Sequence, residues 1–179
     1  MTLILSCATR EYVVQVSDRR LMLPNGDLYD DNTNKMVFFN QIMSFGYTGL
    51  AQLSTRRSEE AKTDWWLTNA LSMASPSSSL SDTILYLRDQ ATVTFRRITF
   101  SKANKHLSIV GIGWGSLSPQ PSLVPIVCVV TNCQDEHGKW FAEACDEFRL
   151  YAYALAESSR TKSLFYAHGQ ELLPQVLCR

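Results

Sequence analysis

The run TLILSCATREYVVQVSDRRLMLPNGDLYDDNTNKMVFFNQIMSFGYTG, residues 2–49, decides how the rest of the chain is read. Thr2 to Ala8 and Tyr12 to Ser17 are two β-rich runs joined by the polar Thr9-Arg10-Glu11, the pattern of a hairpin. Leu23 to Asn34 is crowded with Pro, Asn, Gly and Asp, residues that favour turns, and reads as an exposed loop. Lys35 to Phe39 and Ile42 to Phe45 form a second hairpin around Asn40-Gln41, and Gly46 and Gly49 close it. Thr2 follows the initiator methionine, so removal of Met1 puts a free amine and a side-chain hydroxyl on one residue, a nucleophile carrying its own base. An α-amine titrates near ~8, which suits it to accept the hydroxyl proton at neutral pH. Asp18, Lys35 and Gly49 stand at the ends of the neighbouring strands, and together with Thr2 they suggest a reaction centre.

In order and spacing, Thr2, Asp18, Lys35 and Gly49 resemble the N-terminal-nucleophile (Ntn) hydrolases of the proteasome β-subunit and HslV type. The step from threonine to aspartate equals the family's, the step on to the lysine is longer by one, and the step from lysine to glycine is again equal. An insertion in the turn Leu23-Pro24-Asn25-Gly26-Asp27 accounts for the extra residue. The resemblance covers about residues 2–50 and implies an αββα sandwich of two antiparallel sheets. It also implies roles. Thr2 would attack an amide carbonyl; Lys35, held by Asp18, would favour the nucleophilic form through its charge; Gly49 would offer a backbone N–H to the developing oxyanion. Arg20 and Tyr47 would contact substrate, Tyr47 by shaping the pocket for the side chain before the scissile bond.

Beyond Gly49 the pattern is helical and then β again. Leu50 to Ala74 reads as a moderately amphipathic helix with a polar middle, Ser54 to Lys62. Ser79 and Asp82 supply caps for a second helix whose stripe Leu80, Ile84, Leu87, Ala91, Phe95 and Ile98 steps by three and four. Leu107 to Gly113, Ser122 to Thr131, Trp140 to Ala144 and Phe148 to Ala156 read as strands of a buried sheet, followed by a strand at Leu164 to Ala167 and a short helix near Gln170 to Leu177. Strands, two helices, then strands is an α+β order with helices outside one of two sheets. At 179 residues and 45% hydrophobic content the chain is expected to form a single domain, 1–179.

Seventeen basic and seventeen acidic residues cancel, which gives no reason to expect nucleic acid or an anionic membrane as partner. No apolar run approaches the ~18 residues of a membrane span, and the first residues lack the basic and long apolar regions of a signal peptide, so a cytoplasmic location is expected. Five cysteines, an odd number in apolar surroundings, read as reduced core thiols. Cys128, Cys133, His137 and Cys145 lack the paired spacing of a zinc knuckle, so neither metal nor cofactor is expected. Gly111-x-Gly113-x-Gly115-Ser116 is followed by prolines instead of a helix and does not read as a phosphate loop.

The chain also departs from the family. Met22 stands where a threonine usually binds substrate backbone, and Ala144 to Phe148 stands where a Gly-Ser-Gly stretch is expected. The second helical layer is reduced, because about thirty residues remain after Glu147. An uncovered sheet face or a layer supplied by another subunit both predict a homo-oligomer, a ring being one form of it. Each site residue has a plainer reading: Asp18 pairing with Arg19 or Arg20, Lys35 solvated at a strand start, Gly49 an ordinary glycine before a helix. The sequence therefore implies a threonine peptidase or amide hydrolase acting on peptides, with two alternatives. One is an inactive, proteasome-like structural or binding subunit of an assembly; the other is an amidohydrolase of the same nucleophile class acting on a small molecule.

Overall fold

The computed structural model describes residues 3–22, 28–54, 58–74, 79–116, 123–155, 163–169 and 172–176. Two antiparallel sheets stack face to face, and two helices cover the outer side of one of them. The first sheet begins with the expected hairpin, β1 (Leu3–Thr9) and β2 (Val13–Ser17), whose turn is closed by the Thr9 hydroxyl accepting from the backbone N–H groups of Glu11 and Tyr12. A small ribbon of β3 (Leu21–Met22) and β4 (Leu28–Asp30) brackets the loop, whose centre, 23–27, lies outside the described residues. The second hairpin is β5 (Met36–Phe39) and β6 (Met43–Gly49), turning through Asn40 and Gln41, both with positive φ. β6 continues through Gly46 to Gly49 instead of stopping at Phe45. β7 (Leu107–Gly115), β8 (Val124–Thr131) and β9 (Arg149–Ala154) complete a five-stranded sheet in the order β5-β6-β7-β8-β9. β10 (Ser163–Gly169) and β11 (Leu172–Val176) return to the first sheet, ordered β11-β10-β1-β2.

Side-chain periodicity explains the layering. β1 alternates, with Ile4, Ser6 and Ala8 turned inward, whereas β7 and β8 are buried on both faces and read as unbroken apolar runs. Val110, Ile112, Val127 and Val129 meet Ile4, Ala8 and Leu164 between the sheets. Leu107, Ile109, Cys128 and Val130 face the other way, toward the helices. The glycines of 111–115 are ordinary members of β7; a side chain at Gly113 would overlap the Ile42 carbonyl of the neighbouring strand.

The helices are α1 (Thr63–Met73) and α2 (Leu80–Arg97). α2 forms as its sequence predicts. Ser79 accepts from the Asp82 N–H while Asp82 accepts from the Ser79 N–H, and Ile84, Leu87, Ala91 and Phe95 are buried along one stripe. Ile84, Leu87 and Phe95 each contribute about 1.5–3 kcal/mol by this burial. Phe95 sits at the centre, edge-on to Phe148 at 5.0 Å and to Trp66 at 6.4 Å.

Three expectations are corrected. The helix anticipated from Leu50 begins at Thr63, because the Thr63 hydroxyl donates to the Leu50 carbonyl at 2.6 Å, Thr63 N–H donates to the Ala51 carbonyl, and Gln52 pairs with Lys62. These bonds tie 50–53 to 61–63 and occupy backbone groups a helix needs. The C-terminal helix near Gln170 to Leu177 is instead strand β11, where Pro174 sits on a sheet edge that tolerates its missing N–H. Trp140 to Ala144 is no strand: Asp135 accepts from the N–H groups of His137 and Lys139 to build a turn, and one isolated bridge joins Trp140 to Gln134.

The chain is thus a mixed α+β structure of two antiparallel sheets and two described helices. Among the described residues no helix lies on the outer face of the four-stranded sheet, where Val14 and Val16 are 48% and 56% exposed. No described helix is long and apolar enough to cross a membrane.

Candidate active site

Lys35 leads into β5 from a segment built by short polar bonds. The Asp30 carboxylate accepts from the Asn32 N–H at 2.9 Å and from the Thr33 hydroxyl at 2.7 Å, and Asn34 accepts from the Met36 N–H. The Asn32 backbone bond, then the Thr33 hydroxyl, hold the Asp30 carboxyl below its usual range. Past this turn the Lys35 carbonyl accepts from the Tyr47 N–H, fixing Lys35 to β6.

Its side chain turns inward and is 1% exposed. There the ammonium donates to Asp18 Oδ1 at 2.8 Å and to the carbonyl of Arg20. An ammonium so enclosed has to replace its lost hydration with hydrogen-bond acceptors, and these two oxygens do so. Asp18 lies one residue beyond β2, and its N–H donates to the Leu3 carbonyl at 3.1 Å. The backbone immediately after Thr2 is therefore bonded to Asp18, while Thr2 itself lies outside the described residues.

The plainer pairing of Asp18 with a neighbouring arginine is not what forms: Arg19 donates to the Asn32 carbonyl at 3.0 Å, and the Arg20 side chain is exposed. Arg20 enters the centre through its main chain, a contact the side-chain reading missed and no residue pattern announces. The Met22 side chain lies outside what is described.

Gly49 ends β6 with φ +104, and a side chain there would overlap the His106 carbonyl, which also accepts from the Leu50 N–H at 2.7 Å. Glycine is thus required here. The helix expected directly behind Gly49 starts fourteen positions later, at Thr63, so the support a helix N-terminus would lend its N–H is not adjacent in sequence. Tyr47 is 1% exposed and belongs to the core between sheet and helices, where burial, then the Asp64 carboxylate, push its phenol up.

Thr48, Ser108, Thr131 and Arg149 form one row across the five-stranded sheet. The segment 144–148 therefore reaches the same end of the sheet as Gly49, but three strands away, roughly 14 Å at ordinary strand spacing. It is tied to the helical side by Arg96 to Glu147 at 2.6 Å and Lys102 to Asp146 at 3.1 Å. Two open hollows, of about 370 Å³ beside Leu53 and Phe100 and about 690 Å³ beside Arg96 and Cys145, include none of Asp18, Lys35 or Gly49. Cys128 and Cys133 are buried thiols, and no group of three metal-binding side chains occurs among the described residues.

No protein-family model matches the chain, and no curated protein sequence matches it significantly.

Proposed function

We propose that the protein is a proteasome-like Ntn hydrolase of αββα lineage that cleaves peptide or related amide bonds with Thr2 after removal of Met1. The observation that carries this reading is the buried Lys35 ammonium held by Asp18 Oδ1 and the Arg20 carbonyl beside the strand that Thr2 precedes. Stability alone gives little reason to enclose a lysine, because hydrophobic replacement of a buried pair is often neutral or stabilising.

In this reading the Thr2 amine takes the proton from Oγ1 as Oγ1 attacks the carbonyl carbon. The Lys35 charge favours the anionic side of that exchange, and the Gly49 N–H meets the carbonyl oxygen as it becomes negative. The tetrahedral centre collapses, the leaving amine departs with the proton, and water releases the acyl group from Thr2 by the same steps in reverse. Arg20 contributes its carbonyl to Lys35, and Tyr47 underlies the site from the core. No metal or cofactor enters this scheme.

Intact mass of freshly made protein tests the first requirement, since a retained Met1 turns the amine into an amide without basicity. An electrophilic β-lactone tests the second: it should acylate the parent protein and not Thr2→Ala. Equal labelling of both rejects Thr2. Covalent capture without cleavage of fluorogenic peptides would point to a small amide as substrate.

A second reading, an inactive structural or binding subunit of a homo-oligomer, is favoured by the exposed valines on the outer face of β2. It predicts a larger particle by light scattering and no labelling.

A further inference from the structure

Gln15 lies in the middle of β2 with its side chain turned between the sheets. Its Nε2 donates to the Ser6 hydroxyl at 3.1 Å and to the Val110 carbonyl at 3.0 Å, and its Oε1 accepts from the Ser44 hydroxyl at 2.8 Å. Ser6 is on β1, Ser44 on β6 and Val110 on β7, so one amide binds its own hairpin partner and two strands of the opposite sheet. The orientation of the amide is fixed by chemistry, because a carbonyl can only accept and Nε2 must therefore face Val110.

These bonds lie in an otherwise hydrocarbon layer. Ser6 is fully buried, Ser44 is 9% exposed, and Ile4, Val110 and Ile112 surround them. Gly46 lies beside the amide: a Cβ there would stand in ordinary contact, 3.5 Å, with Gln15 and tightly, 3.3 Å, against Ile4 Cδ1. Hydrophobic burial is non-directional, whereas a three-bonded amide is satisfied in one position and orientation.

Three residues beyond Gln15, about 10 Å along an extended strand, comes Asp18. On the facing hairpin Ser44 pairs with Phe38 and Gly46 pairs with Met36, the residue next to Lys35. The same two hairpins are thus joined twice, by Gln15 to Ser44 in the middle and by Asp18 to Lys35 at the end.

We propose that Gln15 is a positioning residue for the Lys35–Asp18 pair: its amide sets the separation and register of the two hairpins so that the carboxylate arrives within reach of the ammonium. Its value for catalysis rests on the role proposed above for that pair. Gln15 touches no reacting atom and acts through Asp18 and Lys35.

The test uses the whole chain with Gln15→Met, which keeps the length of the side chain and removes its polar atoms. Ser44→Ala removes one of the three bonds, and Leu87→Ala is a control that destabilises the cluster between the five-stranded sheet and the helices, on the other face of that sheet from Gln15. Two signals are read: the ¹H–¹⁵N resonance of the Lys35 ammonium, sharp when its protons are held by two oxygens, and the rate of β-lactone acylation. Gln15→Met is expected to shift or broaden the Lys35 resonance and to slow acylation by about tenfold or more, with Ser44→Ala smaller in the same direction and Leu87→Ala leaving the resonance in place.

A folded Gln15→Met with an unchanged Lys35 resonance overturns the proposal and makes Gln15 a bond that serves stability alone. If Gln15→Met does not fold, Ser44→Ala decides by the same criterion. A resonance that responds in a protein whose parent is never acylated keeps the positioning role and removes the Thr2 reading.

Discussion

The Lys35 ammonium lies 2.8 Å from Asp18 Oδ1, yet Lys35 is 1% exposed while the Asp18 side chain is 36% exposed. The pair is therefore lopsided: the cation is enclosed and about a third of its counter-ion's surface meets water. Asp18→Ala should destabilise by about 2 kcal/mol, less than the 3–5 kcal/mol of a fully enclosed pair, because solvent screens the carboxylate. Lys35→Met removes the enclosed charge itself and should stay within about 1–2 kcal/mol of the parent in urea denaturation. On the proposed chemistry it should nonetheless lose β-lactone labelling, which separates a stabilising lysine from a reactive one.

Gly49 and Gly46 make a matched comparison on one strand. Gly49→Ala forces an L side chain into φ +104 and against the His106 carbonyl, a backbone atom that cannot rotate away. A loss of about 2–4 kcal/mol is expected. Gly46→Ala meets the movable end of Ile4 and should cost about 1 kcal/mol. Equal losses in thermal or urea unfolding would contradict the described conformation at Gly49.

Burial predicts an alkaline limb in stability. It pushes the Cys128 thiol from about 9 up to about 12, so the folded chain keeps a proton that the unfolded chain releases. This contribution is intact below about pH 9 and shrinks as pH rises toward 12, by at most about 1.4 kcal/mol per pH unit. The Tyr47 phenol is displaced in the same direction. Cys128→Ala should flatten the limb between pH 9 and 10, measured as the urea midpoint against pH.

His106 predicts the opposite limb. Desolvation, partly offset by a Phe141 backbone bond, lowers its imidazole beside Trp140, whose ring centroid is 6.0 Å away. A lowered folded value means the contribution is complete above the unfolded value near 6.5 and is lost as pH falls below it. His106→Asn should reduce the slope between pH 7 and 5.

Ser79 closes the start of α2 through reciprocal bonds with Asp82. Ser79→Ala should lower stability by about 1 kcal/mol, within the 0.5–2 kcal/mol range of such caps. Removing a hydroxyl whose bonds serve the start of α2 should leave the Lys35 resonance unchanged.

How much of this was legible follows from where each bond partner lies. β1, β2 and β5 declare themselves because alternation and turn residues sit within a few positions of each other, and α2 because its cap and stripe are local. β7 and β8 are readable as buried strands since two covering layers leave no polar side to alternate. The stretch 50–54 is misread as helix because Lys62 and Thr63 bind it from beyond its own end. The tail is misread because its pairing with β10 outweighs local preference. Within the candidate site, Asp18-Arg19-Arg20 invites a local ion pair, and the spacing resemblance pointed instead to the Lys35 partner. The Arg20 carbonyl and the Gln15 amide were invisible: one carries no side-chain signal, and the other has partners 29 and 95 residues away.

β1 is an inner strand of its sheet, flanked by β2 on one side and by β10 on the other, with Leu3 opposite Gly169 and Thr9 opposite Ser163. During synthesis one edge of that strand stays without its native neighbour until residues 163–169 have been made. The first sheet, with the Leu3 carbonyl that holds the Asp18 N–H, is consequently completed only when β10 arrives. On the proposed chemistry, a nascent polypeptide would stay inert until then.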